Sequence, residues 1–560
     1  MTTTTTTLPH ATMTTNDVEV AVHTHSTAVP ATPTTPLSNI AAYKKYPSEG
    51  SQDSEKGGSD HSNNSSTNNT TAKGTLTSGI LNLSNTIIGA GMLGLPGAAG
   101  GTGYIGGALL MIAGAVFSSH GLILLTKAAQ RTGLPSSFYS IARAAVPQYT
   151  ILIDLAVTLK CFGVATGYLI TIGDCMVDAL DHLVLQQPSS SSLSSSNGNY
   201  YYANDADEDG SDHWFVRHVI LSRRFWVMGA TLAVLPVSFY RTLDELKKAS
   251  ALALVFVFML VFGIIAYANG LADPCLGLAQ NDDSIDICRG DVAAFTDTPT
   301  TLSKLPIFIF AFTCHQNIFP IVNELHNRTQ ERLNFIIYSA IGLALVIFFI
   351  VAMEGYTTFG SYVRGDVLLN YPENANVTVL RICIALMLSL HYPLQLDPSR
   401  RCITSLVKVV QRWRQHRVII HRHSSVADSY RSFSESPDGD GLMTTMAITK
   451  NDDSFFVDGN SQNQQQDTQK ANDRLFHYIT ISFLFLSFSV AMVVDDLGVV
   501  LALVGATGST LVSYILPGLI YCKLVPTWDT SKILALVQLL VGCFVMPLAL
   551  YYVLTGHVSH

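Results

Sequence analysis

Apolar and polar residues in this chain are segregated into long blocks. Eleven stretches of mostly apolar residues stand out, at 76–97, 103–127, 150–173, 220–240, 250–271, 302–322, 334–354, 377–397, 476–494, 497–521 and 532–554. About 20 such residues, each rising 1.5 Å along a helix axis, cross the hydrocarbon core of a bilayer. The pattern predicts an all-α membrane protein with eleven transmembrane helices. Arg223 and Arg224 shorten the apolar part of the fourth stretch.

Two of the blocks are interrupted. Residues 80–97 read ILNLSNTIIGAGMLGLPG, with Gly89, Gly91 and Gly94 at the centre. Inside a bilayer every backbone N–H and C=O needs an internal partner, so a helix unwinds at that depth only where the freed backbone lines a cavity or holds a ligand. Close helix packing through small residues is the competing explanation. The sixth block, PIFIFAFTCHQNIFPIVNEL over 306–325, loses its apolar character at Thr313-Cys314-His315-Gln316-Asn317, and Pro320 removes a backbone donor beyond that. Here the competing explanation is that Pro306 and Pro320 mark helix ends and His315 is a satisfied interior group.

The two interruptions are five spans apart, the spacing expected if spans 1–5 and 6–10 are inverted repeats. In such a pair, half-helix amides near Ala90, Gly91 and Met92 suit a carboxylate, because a helix N-terminus carries unpaired N–H groups and the positive end of the dipole. Carbonyls freed at the opposite half-helix end suit an ammonium group or a cation. A zwitterion such as an amino acid matches both.

Composition sharpens the membrane reading: 48% of residues are hydrophobic and 13% charged, against about 25% charged in soluble domains. Residues 1–73, rich in Thr, Ser, Asn and His, cannot build a core and are expected to be a disordered cytosolic tail. This tail has no basic start followed by an apolar stretch, so it does not read as a signal peptide. Basic residues set orientation. With the N-terminus in the cytosol, the inner loops collect Lys127, Arg131, Arg143, Lys247, Lys248, Arg328, Arg332 and Lys523, and the polar cytosolic loop 398–475 opens with Arg400, Arg401, Lys408, Arg412 and Arg414. That topology puts Cys275 and Cys288 in an outer, oxidising loop, where they are expected to form a disulfide. It also exposes the glycosylation triplet Asn376-Val377-Thr378.

The net charge of −8 sums loops on opposite sides of a membrane and points to no nucleic-acid partner. The nine cysteines show no metal-ligand spacing, and the chain has no G-x-x-x-x-G-K-[ST] or H-E-x-x-H motif. Direct ATP drive, a metal site, a cofactor and enzymatic chemistry are therefore not expected. Lys160 lies within span three, where a charge is costly; it either occupies a cation position or pairs with a carboxylate such as Asp154.

Six separated segments, NLSNTIIGAGMLGLP (82–96), LKCFGVATGYLITIGD (159–174), FTCHQNIFPIVNEL (312–325), EGYTTFGSYV (354–363), YPLQLDPSR (392–400) and GATGSTLVSYILPGL (505–519), resemble the amino acid/auxin permease family. The nearest branches are the sodium-coupled neutral amino acid transporters and the fungal vacuolar amino acid transporters. The resemblance covers about 74–555, and it implies a 5+5 inverted repeat of the amino acid–polyamine–organocation type plus one extra helix. Repeat one would run over about 76–271, repeat two over about 302–521 and the extra helix over about 532–554, all within a transporter domain of 74–555. It further implies cation-coupled amino acid transport, with Ile88, Gly89, Ala90, Gly91 and Met92 on one wall of the substrate site and Phe312, Thr313 and Cys314 on the other.

Asn82 and Asn85 precede the first break. In sodium-coupled relatives span eight completes an ion site with hydroxyls; here Ser389 is available, but His391 stands where another hydroxyl would be expected. Imidazole titrates near physiological pH, so proton coupling is favoured over sodium, with Asn85, Ser389, His391, His315 and Lys160 as the coupling candidates. The expected protein is a monomeric secondary transporter in the lipid bilayer of a vacuole or lysosome rather than the plasma membrane. The alternative is an amino acid sensor with the same fold.

Overall fold

The computed structural model describes residues 74–185, 219, 222–240, 247–271, 273–275, 288–434 and 461–555. The expected tail 1–73 lies outside them. Among the described residues the fold is helical, apart from one isolated bridge between Gly74 and Leu325.

The helices are α1 (Leu76–Ile87), α2 (Gly91–Thr102), α3 (Tyr104–Thr132), α4 (Phe138–Ala145), α5 (Thr150–Leu185), α6 (Arg223–Val237), α7 (Lys247–Ala268), α8 (Thr298–Ala311), α9 (Ile318–Glu324), α10 (Gln330–Phe359), α11 (Ala375–Ser434), α12 (Ser461–Ala491), α13 (Leu497–Val504), α14 (Leu516–Leu524) and α15 (Thr530–Leu554). Their starts follow local chemistry. Thr75, Asp297, Thr329, Asp496 and Asp529 each accept a first-turn backbone N–H, the bond that a helix cannot supply for itself. Gly103, at φ 79°, makes the sharp turn between α2 and α3.

Nine helical stretches among the described residues are long and apolar enough to cross a membrane. Two of the eleven expected stretches are not among them, each for a visible reason. Stretch 76–97 is split into two 12-residue halves, α1 and α2, each reaching only about 18 Å. Stretch 220–240 yields the 15-residue α6, too short for a full span; its first residue, Arg223, is engaged by Asp174 at 2.5 Å and Asp495 at 2.9 Å. The other member of the Asp495–Asp496 turn, Asp496, caps α13.

Where the expected loop 398–475 falls within the described residues, at 398–434 and 461–475, it is helical instead. Helix α11 continues to Ser434 and α12 starts at Ser461. No Gly or Pro interrupts 399–434, so nothing in the sequence ends the helix that span eight begins.

Burial separates centre from periphery. In the stretch Thr298–Glu324, 94% of the apolar window is buried, against 22% in Thr530–Leu554. Large apolar side chains such as Leu109, Val116, Leu155, Phe262, Phe485 and Phe544 point outward, which suits lipid as the solvent. Helix α11 packs along α5, and α10 against α1, α2 and α3, so the broken spans are enclosed.

Candidate functional site

Both interrupted spans come apart. In the first, α1 ends at Ile87 and α2 begins at Gly91, with Ile88, Gly89 and Ala90 between them outside any helix. No side chain caps Ala90. Helix α2 closes its first bonds as Met92 N–H to Gly89 O and Leu93 N–H to Ala90 O, both at 3.1 Å. Those two amides are taken by carbonyls of the break, while Ala90 and Gly91 N–H have no backbone acceptor among the described residues, so the positive end of α2 faces the break. In the second, α8 ends at Ala311, a single turn at His315–Asn317 follows, and α9 begins at Ile318. The two breaks adjoin: a Cβ on Gly91 would lie 3.1 Å from Phe310 Cε1 and 3.3 Å from Ala311 Cα. The start of one half-helix therefore meets the end of another.

The carbonyls freed at the end of α8 are taken up by side chains from the break itself, α3 and α5, and a fourth element holds the Thr313 hydroxyl. Thr313 Oγ1 donates to Ile309 O at 2.7 Å. Ser118 of α3 donates to Phe312 O at 2.7 Å. Lys160 of α5, 2% exposed, donates its ammonium to Thr313 O at 3.3 Å. Ser513, in a π-helical segment between α13 and α14, donates to Thr313 Oγ1 at 3.0 Å. A cation at a helix C-terminus is favourably placed against the dipole. Lys160 fits because Gly508 faces it; a Cβ there would sit 2.7 Å from Lys160 Cβ. The ammonium thus holds the broken segment, and no bond from it to Asp154 is seen.

The first break is walled by α5 and α11. Tyr168 Oη would lie 2.7 Å from a Cβ on Gly89, and Gln395 donates to that oxygen at 3.4 Å. His391 Nε2 donates to Asn85 Oδ1 at 2.6 Å, while His391 Nδ1 has no partner among the described residues. Asn317 ties the two breaks together, donating to Thr86 Oγ1 at 3.0 Å and to Leu394 O at 3.1 Å. Leu394 O is open because Pro398, four residues on, has no N–H to offer it. A proline inside α11 thereby creates the acceptor on which the second broken span docks.

The sequence-predicted residues are thus distributed unevenly. Ile88, Gly89, Ala90, Gly91, Met92, Phe312, Thr313 and Cys314 line the adjoining breaks and are all buried. Asn85 and His391 meet, and Lys160 reaches Thr313. His315 is fully buried with neither ring nitrogen partnered among the described residues; its Nε2 would be 2.7 Å from a Cβ on Gly121. Ser389 turns back on its own helix, donating to Ala385 O at 2.7 Å. Cys275 and Cys288 are bonded, with Cα atoms 5.8 Å apart, and Asn376 is exposed in the first turn of α11. The sequence reading missed Ser118, Tyr168, Ser513 and Gln538, which donates to Ser513 O at 2.8 Å. A serine or tyrosine in an apolar helix gives no sign of which carbonyl or glycine it will meet. The flanking Gly505 and Gly508 were the available clue to the irregular span ten.

Two cavities flank the buried layer formed by the breaks. One, of about 610 Å³, reaches Gly94 of α2 and Ile307 of α8, beyond the first break and before the second. Asp366 lines it, and burial pushes that carboxyl up to about 7. The other, of about 270 Å³, reaches Gln316, Phe319 and Pro320, beyond the second break. The antiparallel course of the two spans places these cavities on opposite sides of the layer.

Residues 72–559 match the family described as transmembrane amino acid transporter protein. Vacuolar amino acid transporter 5 of Schizosaccharomyces pombe is 28% identical over 451 residues, covering 79% of this chain and 83% of the relative. Vacuolar amino acid transporter 5 of Saccharomyces cerevisiae is 29% identical over 452 residues, covering 80% and 88%. The crystal structure of MhsT in complex with L-phenylalanine aligns with 84% of this chain and 98% of its own at 13% identity and a TM-score of 0.39, too loose to add to what the helices themselves establish. Matched across all its described helices, the chain belongs to the transmembrane amino acid transporter family.

Proposed function

We propose that this protein is a secondary active transporter that carries amino acids across a vacuolar membrane by alternating access, driven by protons rather than sodium. One observation carries the reading: the uncapped N-terminus of α2 faces the carbonyl end of α8 within a fully buried layer. Opposite helix ends bind the carboxylate and the ammonium of a zwitterion at once. The cavities above and below that layer are the two half-paths that alternating access opens in turn.

The topology that fits is eleven spans. The nine long stretches are joined by the α1–α2 pair and by α6, as two inverted five-span repeats with α15 as the extra helix. The N-terminus is cytosolic and one chain forms the whole path. Lys160 favours protons over sodium, since its ammonium already sets a fixed positive charge on Thr313 O, leaving Ala311 O, beside Gly91, for the ammonium of the substrate. Ser389, spent on Ala385 O, is poorly placed as a sodium ligand. The His391–Asn85 pair and His315 place two imidazoles near the breaks as the candidate proton carriers. The names of the two yeast relatives support amino acids as cargo and the vacuole as site.

The test is flux into proteoliposomes with each proteinogenic amino acid, at two pH gradients, with sodium or choline outside. Uptake that follows the pH gradient and survives choline supports the proposal. Uptake that collapses in choline transfers the coupling to sodium, and binding without flux makes the protein a sensor.

A further inference from the structure

The 270 Å³ cavity contains chemistry that the central site does not use. Two buried acceptors line it from different elements. Asp154 of α5, 1% exposed, lines the cavity together with Ser405 and Cys402, and its Oδ1 has no partner among the described residues. Gln316, 3% exposed, gives its Nε2 to Gln395 Oε1 at 3.2 Å, and its own Oε1 has no partner there. Leaving a buried acceptor unsatisfied costs about 1–3 kcal/mol, and here two residues that line one cavity each carry such an atom.

The rest of the lining has the opposite sign. Arg401, Lys408 and Arg412 come from one stretch of α11, about three turns long. Arg401 is committed to Asp397 Oδ2 at 2.7 Å, which leaves Lys408 and Arg412, both exposed, to meet an anion. A phosphate group would be repelled by Asp154 within, and a purely cationic ligand by the basic residues. A ligand carrying N–H donors at one end and a carboxylate at the other satisfies both sets.

We propose that this cavity is a second amino acid site, in which the zwitterion sits ammonium-inward on Asp154 Oδ1 and Gln316 Oε1 with its carboxylate toward Lys408 and Arg412. It rests on the transport reading and adds a staging position to it. Gln316 belongs to the broken segment itself, two residues from Cys314, so a ligand here is one step from the central layer. Opening of the second break toward this side would hand the substrate from one site to the other.

The experiment is equilibrium binding of tritiated amino acids, each proteinogenic one in turn, to the purified full-length protein. Wild type is expected to saturate at two equivalents per chain for its substrate. Asp154→Asn removes the carboxylate, and Ser405→Leu fills the cavity without touching the central breaks. Each is expected to reduce saturation to one equivalent, with the remaining Kd within about twofold, a shift of less than 1 kcal/mol. Wild-type saturation at one equivalent overturns the proposal, as does retention of two equivalents by both variants. Asp154→Asn that alters only the pH dependence of transport makes Asp154 a proton carrier and overturns it too. Absence of binding by wild type to every amino acid is the distinct result in which the transport reading itself fails.

Discussion

Gly89→Ala is the most informative single change, because the structure names both the obstacle and its removal. The added Cβ would lie 2.7 Å from Tyr168 Oη, with the next atom of that side chain, Cζ, at 3.4 Å. A carbon–oxygen contact of 2.7 Å cannot stand, and Tyr168 Oη sits at the end of a rigid ring, buried, and bonded by Gln395 at 3.4 Å. Overpacking of this kind costs about 1–3 kcal/mol, or roughly 5- to 150-fold in a population or a binding constant. Tyr168→Phe deletes the obstructing oxygen and leaves Cζ at an ordinary van der Waals distance. Alone it forfeits one long hydrogen bond, worth about 1 kcal/mol or less. The double variant should therefore recover most of what Gly89→Ala loses, a coupling of about 1–3 kcal/mol between residues in contact. Thermal melting in detergent and initial uptake rate in proteoliposomes measure the cycle. Additive losses, or wild-type behaviour of Gly89→Ala alone, would refute the placement of Tyr168 over the first break.

Three further outcomes follow from the geometry. Gly91→Leu puts a side chain against Phe310 and Ala311, from a Cβ only 3.1 Å from the ring; uptake should fall at least about 100-fold, about 3 kcal/mol, while circular dichroism still reports a helical protein. Asn317→Ala withdraws the donor from Leu394 O and Thr86 Oγ1, and thermal unfolding should show a loss of about 1–3 kcal/mol. Asp366 is raised from the usual 3.8 to about 7, chiefly by burial. Because its folded-state value lies above its unfolded one, the stability it contributes is fully present below about pH 4 and is lost as pH rises through 7. Wild type should then melt higher at pH 5 than at pH 8, and Asp366→Asn should flatten that slope and be the more stable protein at pH 8.

The sequence revealed the interruptions more readily than their partners. Glycines at 89 and 91 and the polar run 313–317 stand out because apolar continuity is the rule in a bilayer, and any failure of it is visible in one dimension. Lys160 was legible for the same reason. The group it meets was not: Asp154 is close in sequence, but Thr313 O is available only because a helix ends there, which is a tertiary fact. Ser389 shows the opposite failure, since a hydroxyl in a helix has its own carbonyl four residues back as a competing acceptor, and Ala385 O won. The reach of α11 to Ser434 was hidden by polarity, which ends an apolar block without ending a helix. The π-helical turns at Gly505–Ser509 and Leu511–Ile515 have no periodic signature, and their glycines gave the only hint.

The central claim is that a zwitterion is gripped between the start of α2 and the end of α8. An electron cryomicroscopy map of the reconstituted protein, prepared with the amino acid it transports, tests this most directly. The account predicts density between Ala90–Met92 and Phe312–Cys314, with the carboxylate on the Ala90 and Gly91 amides at the start of α2. Unbroken helices through 88–90 and 312–317, or substrate density held elsewhere with this layer still closed, would contradict it.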